Sequence, residues 1–535
     1  MSNNTSGNPN NTEPQSQPPQ PNPVLEQLTG VQYCVNSSPP LLEAILLGFQ
    51  HYALALGSIV LIPSLLVPEM GGTDGDKAKV IQTLLFVSGI NTLLHSFFGT
   101  RLASVIGGSY AFLIPMTSII QSRQYRMIHH MPRERFVHTM REIQGALIIS
   151  SSVQIIIGFS GLWRVIVRLF TPLSLVPLVS FSGLGLYYLG CPLIAKCVAV
   201  GLPELVFIVF ISQYLPRFVK TNRPIWDRFA LLFSIAIVWV YAEFLTWSGA
   251  FKKFKYISCR ADSSRLIGAA SWIYVPYPFQ WGPPIFTPGQ TFVAIFSSFV
   301  ASMESTGSFV AAARYGSATP APPSVISRGV GWLGIGTLLN ALFGSVTGSM
   351  ALVENAGLLA LTKTGSRRVV QISALFMISF SVLGKVGAVF ASIPSPIMAA
   401  SYCIFFGYVT SAGFSFLQFC NLNSFRTKFV LGFSFFVGLS LPQCFKENRL
   451  NSSTIQIHTN TEWFHDIISV VFMSHATVAA VIALILDRTL THQSNEVGKD
   501  NGSHWWERFM VYNKDVRSDE FYKLPGNLNK CFPSF

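Results

Sequence analysis

Apolar runs about the length of a bilayer crossing recur along this chain, separated by short polar or basic stretches. A helix needs about 20 apolar residues to span the hydrocarbon. The pattern predicts such spans over 41–67, 80–98, 143–162, 171–190, 203–216 and 229–248, and again over 291–313, 329–346, 369–389, 392–415, 428–443 and 466–486. Two apolar segments do not read as plain helices. Gly107-Gly108-Ser109-Tyr110-Ala111-Phe112-Leu113-Ile114-Pro115 opens on paired glycines and closes at a proline, and 349–362 follows the small residues Gly344, Ser345, Gly348 and Ser349. Non-helical backbone at membrane depth survives only where it lines a protein cavity. A pair of Gly/Pro-interrupted segments at matching positions of two halves points to a transporter site at a repeat interface. Taken as spans 3 and 10, they give seven spans per half, and an odd number per half makes the repeats inverted. The expected fold class is an all-α polytopic membrane protein of about 14 spans, a 7+7 inverted repeat with two short broken segments.

The boundaries that follow are a disordered cytoplasmic tail (1–39), a first repeat (40–249), an extracellular loop (250–290), a second repeat (291–487) and a cytoplasmic tail (488–535). Residues 1–39, rich in Asn, Pro, Gln and Ser, hold too little apolar surface to offset ordering entropy. They also lack the basic head and apolar run of a cleavable signal, so the first span is expected to act as the signal. Composition agrees with a bilayer protein: of 535 residues, 50% are hydrophobic and 11% charged, against about 25% charged in soluble domains.

The net charge of +13 raises the question of nucleic acid, but the basic residues lie in short clusters between spans, and no nucleic-acid partner is expected. Positive-inside topology accounts for them. With both tails cytoplasmic, the inner side receives Arg101, Arg164, Arg168, Arg217, Lys220, Arg223, Arg228, Arg314, Arg328, Lys363, Arg367, Arg368, Arg426 and Lys428. Two outer loops run against the rule, one with Arg123, Arg126, Arg133, Arg135 and Arg141, the other with Lys252, Lys253, Lys255, Arg260 and Arg265. The sequon Asn451-Ser452-Ser453 falls on the outer side. Eight cysteines are scattered without Cys-x-x-Cys or zinc-type His spacing. They read as packing residues, not as a metal site or disulfide framework.

Chemistry is expected where charge interrupts the apolar spans. A lone charge at the bilayer centre costs about 2.5–3.5 kcal/mol on insertion scales, so something must compensate Glu354, which stands beside Asn355 in apolar sequence. Glu304 lies in mid-span, with Gly307 and Ser308 leaving room beside it for a ligand or another helix. His95, Glu243 and His475 read as helix contacts or interface residues, Lys385 as a snorkelling cation, and Lys363, Arg367 and Arg368 as anchors at the inner surface.

The run Glu354-Asn355-x-Gly357-x-x-x-x-Thr362-Lys363 is similar to the signature of the nucleobase-ascorbate transporter family: Gln/Glu/Pro, Asn, any, Gly, four of any, Thr, then Arg/Lys/Gly. Gln50-His51 in the first span and Met303-Glu304-Ser305-Thr306-Gly307, about fifty residues before the signature, resemble two further landmarks in the family's order. The likeness covers roughly 40–490, and the run from Cys259-Arg260 through Pro276-Tyr277-Pro278-Phe279-Gln280-Trp281-Gly282 looks most like plant members. The resemblance implies core and gate domains moving elevator-fashion, brief extended strands in spans 3 and 10, and a homodimer in the plasma membrane. It also implies that Glu304 binds substrate and that Glu354 and Asn355 line or brace the site.

Uric acid, xanthine or uracil is planar, with ring N–H donors and carbonyl acceptors. A carboxylate accepts from such N–H groups, and an amide such as Asn355 does both. Backbone amides around Ser109-Tyr110 and Val353-Glu354 add donors if those segments unwind, with Tyr110 or Phe112 as a stacking face. The expected substrate-binding set is Glu304, Glu354, Asn355, Ser109, Tyr110, Phe112 and Val353, braced by Gln50, His51, Ser308, Gly357 and Thr362. One departure matters. One helical turn after the acid of span eight, bacterial and fungal relatives carry His or Asp and animal ascorbate carriers carry Asp, whereas this chain has Ser308. A hydroxyl cannot hold the coupling charge, so proton coupling would fall on Glu304 or Glu354, and no metal or other cofactor is expected. Three readings stay open: a carrier of nucleobases (xanthine/urate, uracil, adenine or guanine), an ascorbate carrier, and a non-coupled channel or receptor on the same scaffold. No P-loop, His-Glu-x-x-His or Gly-x-Ser-x-Gly is present, and the chain is not expected to be an enzyme.

Overall fold

A computed structural model describes residues 28, 30–121, 131–219, 225–251, 259, 268, 270–391, 393–451, 462–490, 500–510, 516–526 and 528. Arg123, Arg126, Lys220, Arg223, Lys252, Lys253, Lys255, Arg260, Arg265, Ser452 and Ser453, along with most of the first tail and part of the second, lie outside the described residues. The first half contains α1 (Leu41–Glu69), α2 (Asp74–Phe97), β1 (Ile106–Gly108), α3 (Leu113–Gln121), α4 (Pro132–Phe159), α5 (Pro172–Leu184), α6 (Val198–Val209) and α7 (Ala230–Trp247). The second contains α8 (Pro288–Tyr315), α9 (Pro323–Phe343), β2 (Ser349–Ala351), α10 (Val353–Thr362), α11 (Arg367–Val382), α12 (Ser395–Phe414), α13 (Phe425–Asn451), α14 (Glu462–Phe472), α15 (His475–Thr489) and α16 (Val516–Tyr522). Among the described residues nine helices are long and apolar enough to cross a membrane, or ten if α14 and α15, bent by 74° at their junction, count as one. The molecule is a mostly helical, polytopic membrane fold.

Local chemistry starts several helices outside their apolar stretches. At α2 the Thr73 side chain accepts from the Asp76 amide at 3.2 Å while Asp76 accepts from the Thr73 amide at 3.0 Å, a reciprocal cap that satisfies two otherwise orphan donors. Helices α4, α5, α8 and α9 each begin with a proline, whose fixed φ and missing N–H suit the first helical position.

The expected extended strands are present and pair antiparallel with each other, Ile106 opposite Ala351, Gly107 opposite Met350 and Gly108 opposite Ser349. Side chains from the surrounding helices take up backbone groups that the pair leaves over. Thr92 accepts from the Ile106 amide at 3.0 Å, Thr337 from the Ser349 amide at 3.1 Å and Ser305 from the Ala351 amide at 3.1 Å. Asn340 and Asn91 donate to the Ser349 hydroxyl at 2.9 and 3.2 Å. The principal helix pairings around this centre are α4 with α9, α2 with α11, α5 with α12, and α1 with α11.

Several sequence expectations are corrected. The end of the 1–39 tail is ordered: Gln32, Val35 and Tyr33 bond through their backbones to Lys363, Gly316 and Gly365, and Val35 is buried. A short extended segment needs no large apolar surface when an adjacent turn supplies its partners. Arg133, Arg135 and Arg141 belong to α4 instead of an outer loop. Arg133 pairs with Asp76, while Arg135 and Arg141 donate to the carbonyls of Glu69 and Pro283 at 2.8 and 2.6 Å. Their charges are engaged locally, which is why they break the loop-charge rule. Cys197 and Cys259 form a disulfide across 62 residues of sequence, so not all cysteines are packing residues. The bond joins the turn before α6 to the loop after α7, two stretches the sequence reading puts on one outer side.

Near the end of the bundle Asp487 is buried and accepts from Arg426 at 2.8 Å, from Thr171 at 2.8 Å and from Asn501 at 3.2 Å. Breaking a buried pair from one side leaves an uncompensated charge, at a cost of about 3–5 kcal/mol. Asp487→Ala is therefore expected to lower the melting temperature of the detergent-solubilised protein markedly and to reduce its yield, as read by fluorescence-detected size exclusion after heating.

Candidate functional site

Each strand hands over at once to a helix. After β1 the chain enters a turn at Tyr110–Phe112 that continues into α3, with the Ser109 hydroxyl accepting from the Ala111 amide at 3.3 Å. After β2, α10 begins at Val353 with no capping side chain. Helix N-termini carry unsatisfied N–H groups and partial positive charge, and here two of them are brought together by the strand pair.

A cavity of about 250 Å³ opens beside these termini, lined by Tyr110 and Val353 from them, Phe181 and Tyr188 at the end of α5, Glu304 of α8, Lys446 of α13, and Ser474 and His475 at the break between α14 and α15. The volume is just below the ~300–1,000 Å³ of drug-sized sites and suits a single small ring system. Ser474 donates to the Glu304 carboxylate at 2.8 Å. The same hydroxyl caps α15 by accepting from the Thr477 amide at 3.3 Å. Gly307 lets α8 approach α5 closely, since a Cβ there would lie 2.1 Å from the Ser182 hydroxyl. A second cavity, about 270 Å³ between α4, α8 and α9, is mostly apolar. Its Gln154 bonds to Ser302 at 2.9 Å and its Ser298 bonds within its own helix, so it offers no converging polar groups to a ligand.

The sequence-predicted residues divide. Glu304, Tyr110 and Val353 line the polar cavity. Glu354 does not: it is buried, with Ser58, Tyr110 and Tyr402 beside it. Among the described residues its Oε1 and the hydroxyls of Tyr110 and Tyr402 are buried without a hydrogen-bond partner, and Tyr110 both lines the cavity and lies near Glu354. Asn355 donates to the His51 ring and to the His51 carbonyl, both at 3.0 Å, and Gln50 donates to the Arg228 carbonyl at 3.0 Å. Gln50, His51 and Asn355 thus knit α1, α10 and the start of α7.

Ser109 is taken up by the strand pair: its amide donates to Gly348 at 3.0 Å and its carbonyl accepts from Thr347 at 2.8 Å. The Phe112 ring is buried against Gly348, where a Cβ would lie 2.5 Å away. Ser308 is buried with no partner for its hydroxyl among the described residues, and Thr362 bonds back to Leu358 at 2.9 Å. Ser109, Phe112, Glu354 and Asn355 therefore lie outside the cavity wall, because strand pairing and a one-residue rotation along α10 point them into protein.

Ser474, Tyr188, His475 and Lys446 were not picked out as site residues. The one signal for the first was the polar pair Ser474-His475 interrupting an apolar run. Tyr188 and Lys446 carried none, since aromatic and basic residues at span ends are ordinary.

Gly357 of the signature meets α12 so closely that a Cβ would stand 2.3 Å from the Phe405 carbonyl, whereas a Cβ at Gly407, on α12 itself, meets nothing within 4 Å. Forcing atoms into a packed site costs about 1–3 kcal/mol. Gly357→Ala is expected to lower thermal stability by that order, and Gly407→Ala to leave it unchanged or slightly raised, in the same melting assay.

A model described as the Permease family matches residues 42–447. Nucleobase-ascorbate transporter 7 of Arabidopsis thaliana is 56% identical over 518 residues, 96% of each chain, and nucleobase-ascorbate transporter 6 of the same plant is 55% identical over 524 residues, 97% of this chain and 98% of its own. Among solved structures, the overall structure of SLC26A9 is similar with a TM-score of 0.46 at 12% identity, covering 84% of this chain and 66% of that one. Near-full-length identity of this order leaves a single assignment: the chain is a membrane transporter, not an enzyme, and belongs to the nucleobase-ascorbate transporter family as a plant-type member.

Proposed function

We propose that the protein is a secondary active transporter that carries a nucleobase together with protons, with Glu304 as the group that holds the substrate. The observation that carries the reading is the convergence of Glu304, two helix N-termini and aromatic faces on one small cavity. The Glu304 carboxylate accepts from adjacent ring N–H groups, the first amide of α10, which has no partner within its helix, donates to a ring carbonyl, and Tyr110, Phe181 or Tyr188 covers the ring face. A site that hydrogen-bonds a polar edge discriminates strongly against analogues lacking it. Xanthine, urate, uracil and guanine carry such an edge, and adenine offers ring nitrogens as acceptors where the others have a carbonyl.

The architecture we propose is 14 spans in two inverted sets of seven, with α14 and α15 as one broken span. In its support, moving seven spans along the chain turns the α4–α9 pairing into α11–α2, two of the main packing pairs. The strand pair is antiparallel, as an inverted repeat requires. Both ends of the described chain meet, where Arg367 donates to Asn36 at 3.1 Å and to the Phe521 carbonyl at 3.2 Å, which supports an even number of crossings between them. In the elevator reading α1–α4 and α8–α11 form a core that moves against a gate of α5–α7 and α12–α15. Glu304 then belongs to the core and its partner Ser474 to the gate, a contact suited to breaking and remaking during transport. Both termini are cytoplasmic, the membrane is the plasma membrane, and the carrier works as a homodimer. A second reading, ascorbate transport, is favoured by the two positive helix ends facing one cavity. Competition by excess ascorbate separates the two.

The test is saturable, pH-dependent uptake of labelled nucleobases in carrier-deficient cells. Losing a charge-assisted hydrogen bond costs about 1.5–3 kcal/mol, so Glu304→Gln is expected to lower uptake about 10- to 100-fold at normal surface expression, and a protonophore to abolish accumulation by the wild type. Unchanged uptake in Glu304→Gln removes Glu304 from the site. Entry of none of the nucleobases at any pH, with the protein at the surface, overturns the reading.

A further inference from the structure

Lys446 is the cation among the described residues that line this cavity, and the proposed function assigns it nothing. It comes from α13, near that helix's end. Among the described residues no carboxylate pairs with it. Glu447, next along the chain, is occupied by Gln443 at 2.7 Å, and Gln443 in turn accepts from the Tyr187 hydroxyl at 2.7 Å. The ammonium instead lies over the faces of Tyr187 and Tyr188, 5.6 and 5.1 Å from the ring centroids. Ring faces attract a cation but do not neutralise it. They hold it in place with its charge still available, and Tyr188 is itself a cavity residue. A half-buried lysine kept at a ligand cavity by aromatic rings, with no acid of its own, leaves a positive charge for the occupant to balance.

We propose that Lys446 sets a preference for substrates that carry one delocalised negative charge over neutral ones of the same size. The inference rests on the transport reading above. A planar anion with both N–H or O–H donors and charged oxygens matches the two charged groups that line the cavity: its donors meet Glu304, and its negative edge meets Lys446. A neutral nucleobase engages Glu304 equally well but gains nothing from the ammonium. The carboxylate and the ammonium thus divide the work, Glu304 selecting for donors and Lys446 for charge.

Uptake kinetics of full-length wild type, Lys446→Gln and Lys446→Arg test this at neutral pH, with urate and ascorbate as anions and uracil and adenine as neutral substrates. One charge-assisted contact at a partly hydrated site is worth about three- to tenfold in affinity. The Gln variant is expected to raise KM for any transported anion by about that factor, to leave KM for the neutral substrates within about twofold, and to be rescued by Arg. Equal effects on both classes, no effect, or a wild type that carries only neutral substrates overturns the role of Lys446 and leaves the transport reading standing. A wild type that carries none of the four overturns that reading and this inference with it.

Discussion

An unpaired backbone amide or carbonyl in hydrocarbon costs several kcal/mol, and at the centre of this molecule two stretches of non-helical chain avoid that cost by bonding to each other. Everything else about the site follows from the antiparallel pair Ile106–Gly108 and Ser349–Ala351. It is too short to be a sheet in its own right, and it holds because helix side chains complete it: Thr92 on one strand, Thr337, Ser305, Asn340 and Asn91 on the other. These are buried polar residues that would be liabilities elsewhere in an apolar bundle. Here each one has a backbone or hydroxyl group to satisfy.

The pair has two consequences for chemistry. It points the beginnings of two helices at one place, where their unpaired N–H groups supply partial positive charge. It also fixes which residues can reach a ligand. Ser109 spends its amide on the strand partner and Phe112 is locked against Gly348, whereas Tyr110, between them in sequence, turns into the cavity. The acid that completes the site comes from α8, and its hydrogen-bond partner sits at the kink between α14 and α15. A kink exposes capping groups that an unbroken helix would have used internally, which is how Ser474 can serve both α15 and Glu304.

Glycines act by permitting approach. At Gly307 and Gly357 the absent Cβ lets α8 and α10 lie directly on α5 and α12. In the proposed elevator these are the surfaces across which the two parts of the molecule slide, and small residues there keep both flat. The signature residues Asn355 and Gly357 accordingly work on packing, the first by tying α10 to His51 of α1.

The sequence by itself determined the membrane class, the positions of most spans, the two interrupted segments and the family, because apolar run length, glycine pairs and a ten-residue signature are properties of neighbouring residues. It also singled out Glu304, since an acid in mid-span stands out against apolar neighbours. Tertiary structure alone decided which acid faces the cavity. Glu304 and Glu354 look alike in sequence, yet the direction of each side chain depends on how its helix is rotated by contacts with residues far away, and Glu354 is turned toward Ser58 and Tyr402. The same holds for Lys446, Tyr188 and the Cys197–Cys259 bond. Each joins segments that local pattern cannot relate, because what brings them together is the packing of whole helices and not the composition of any one.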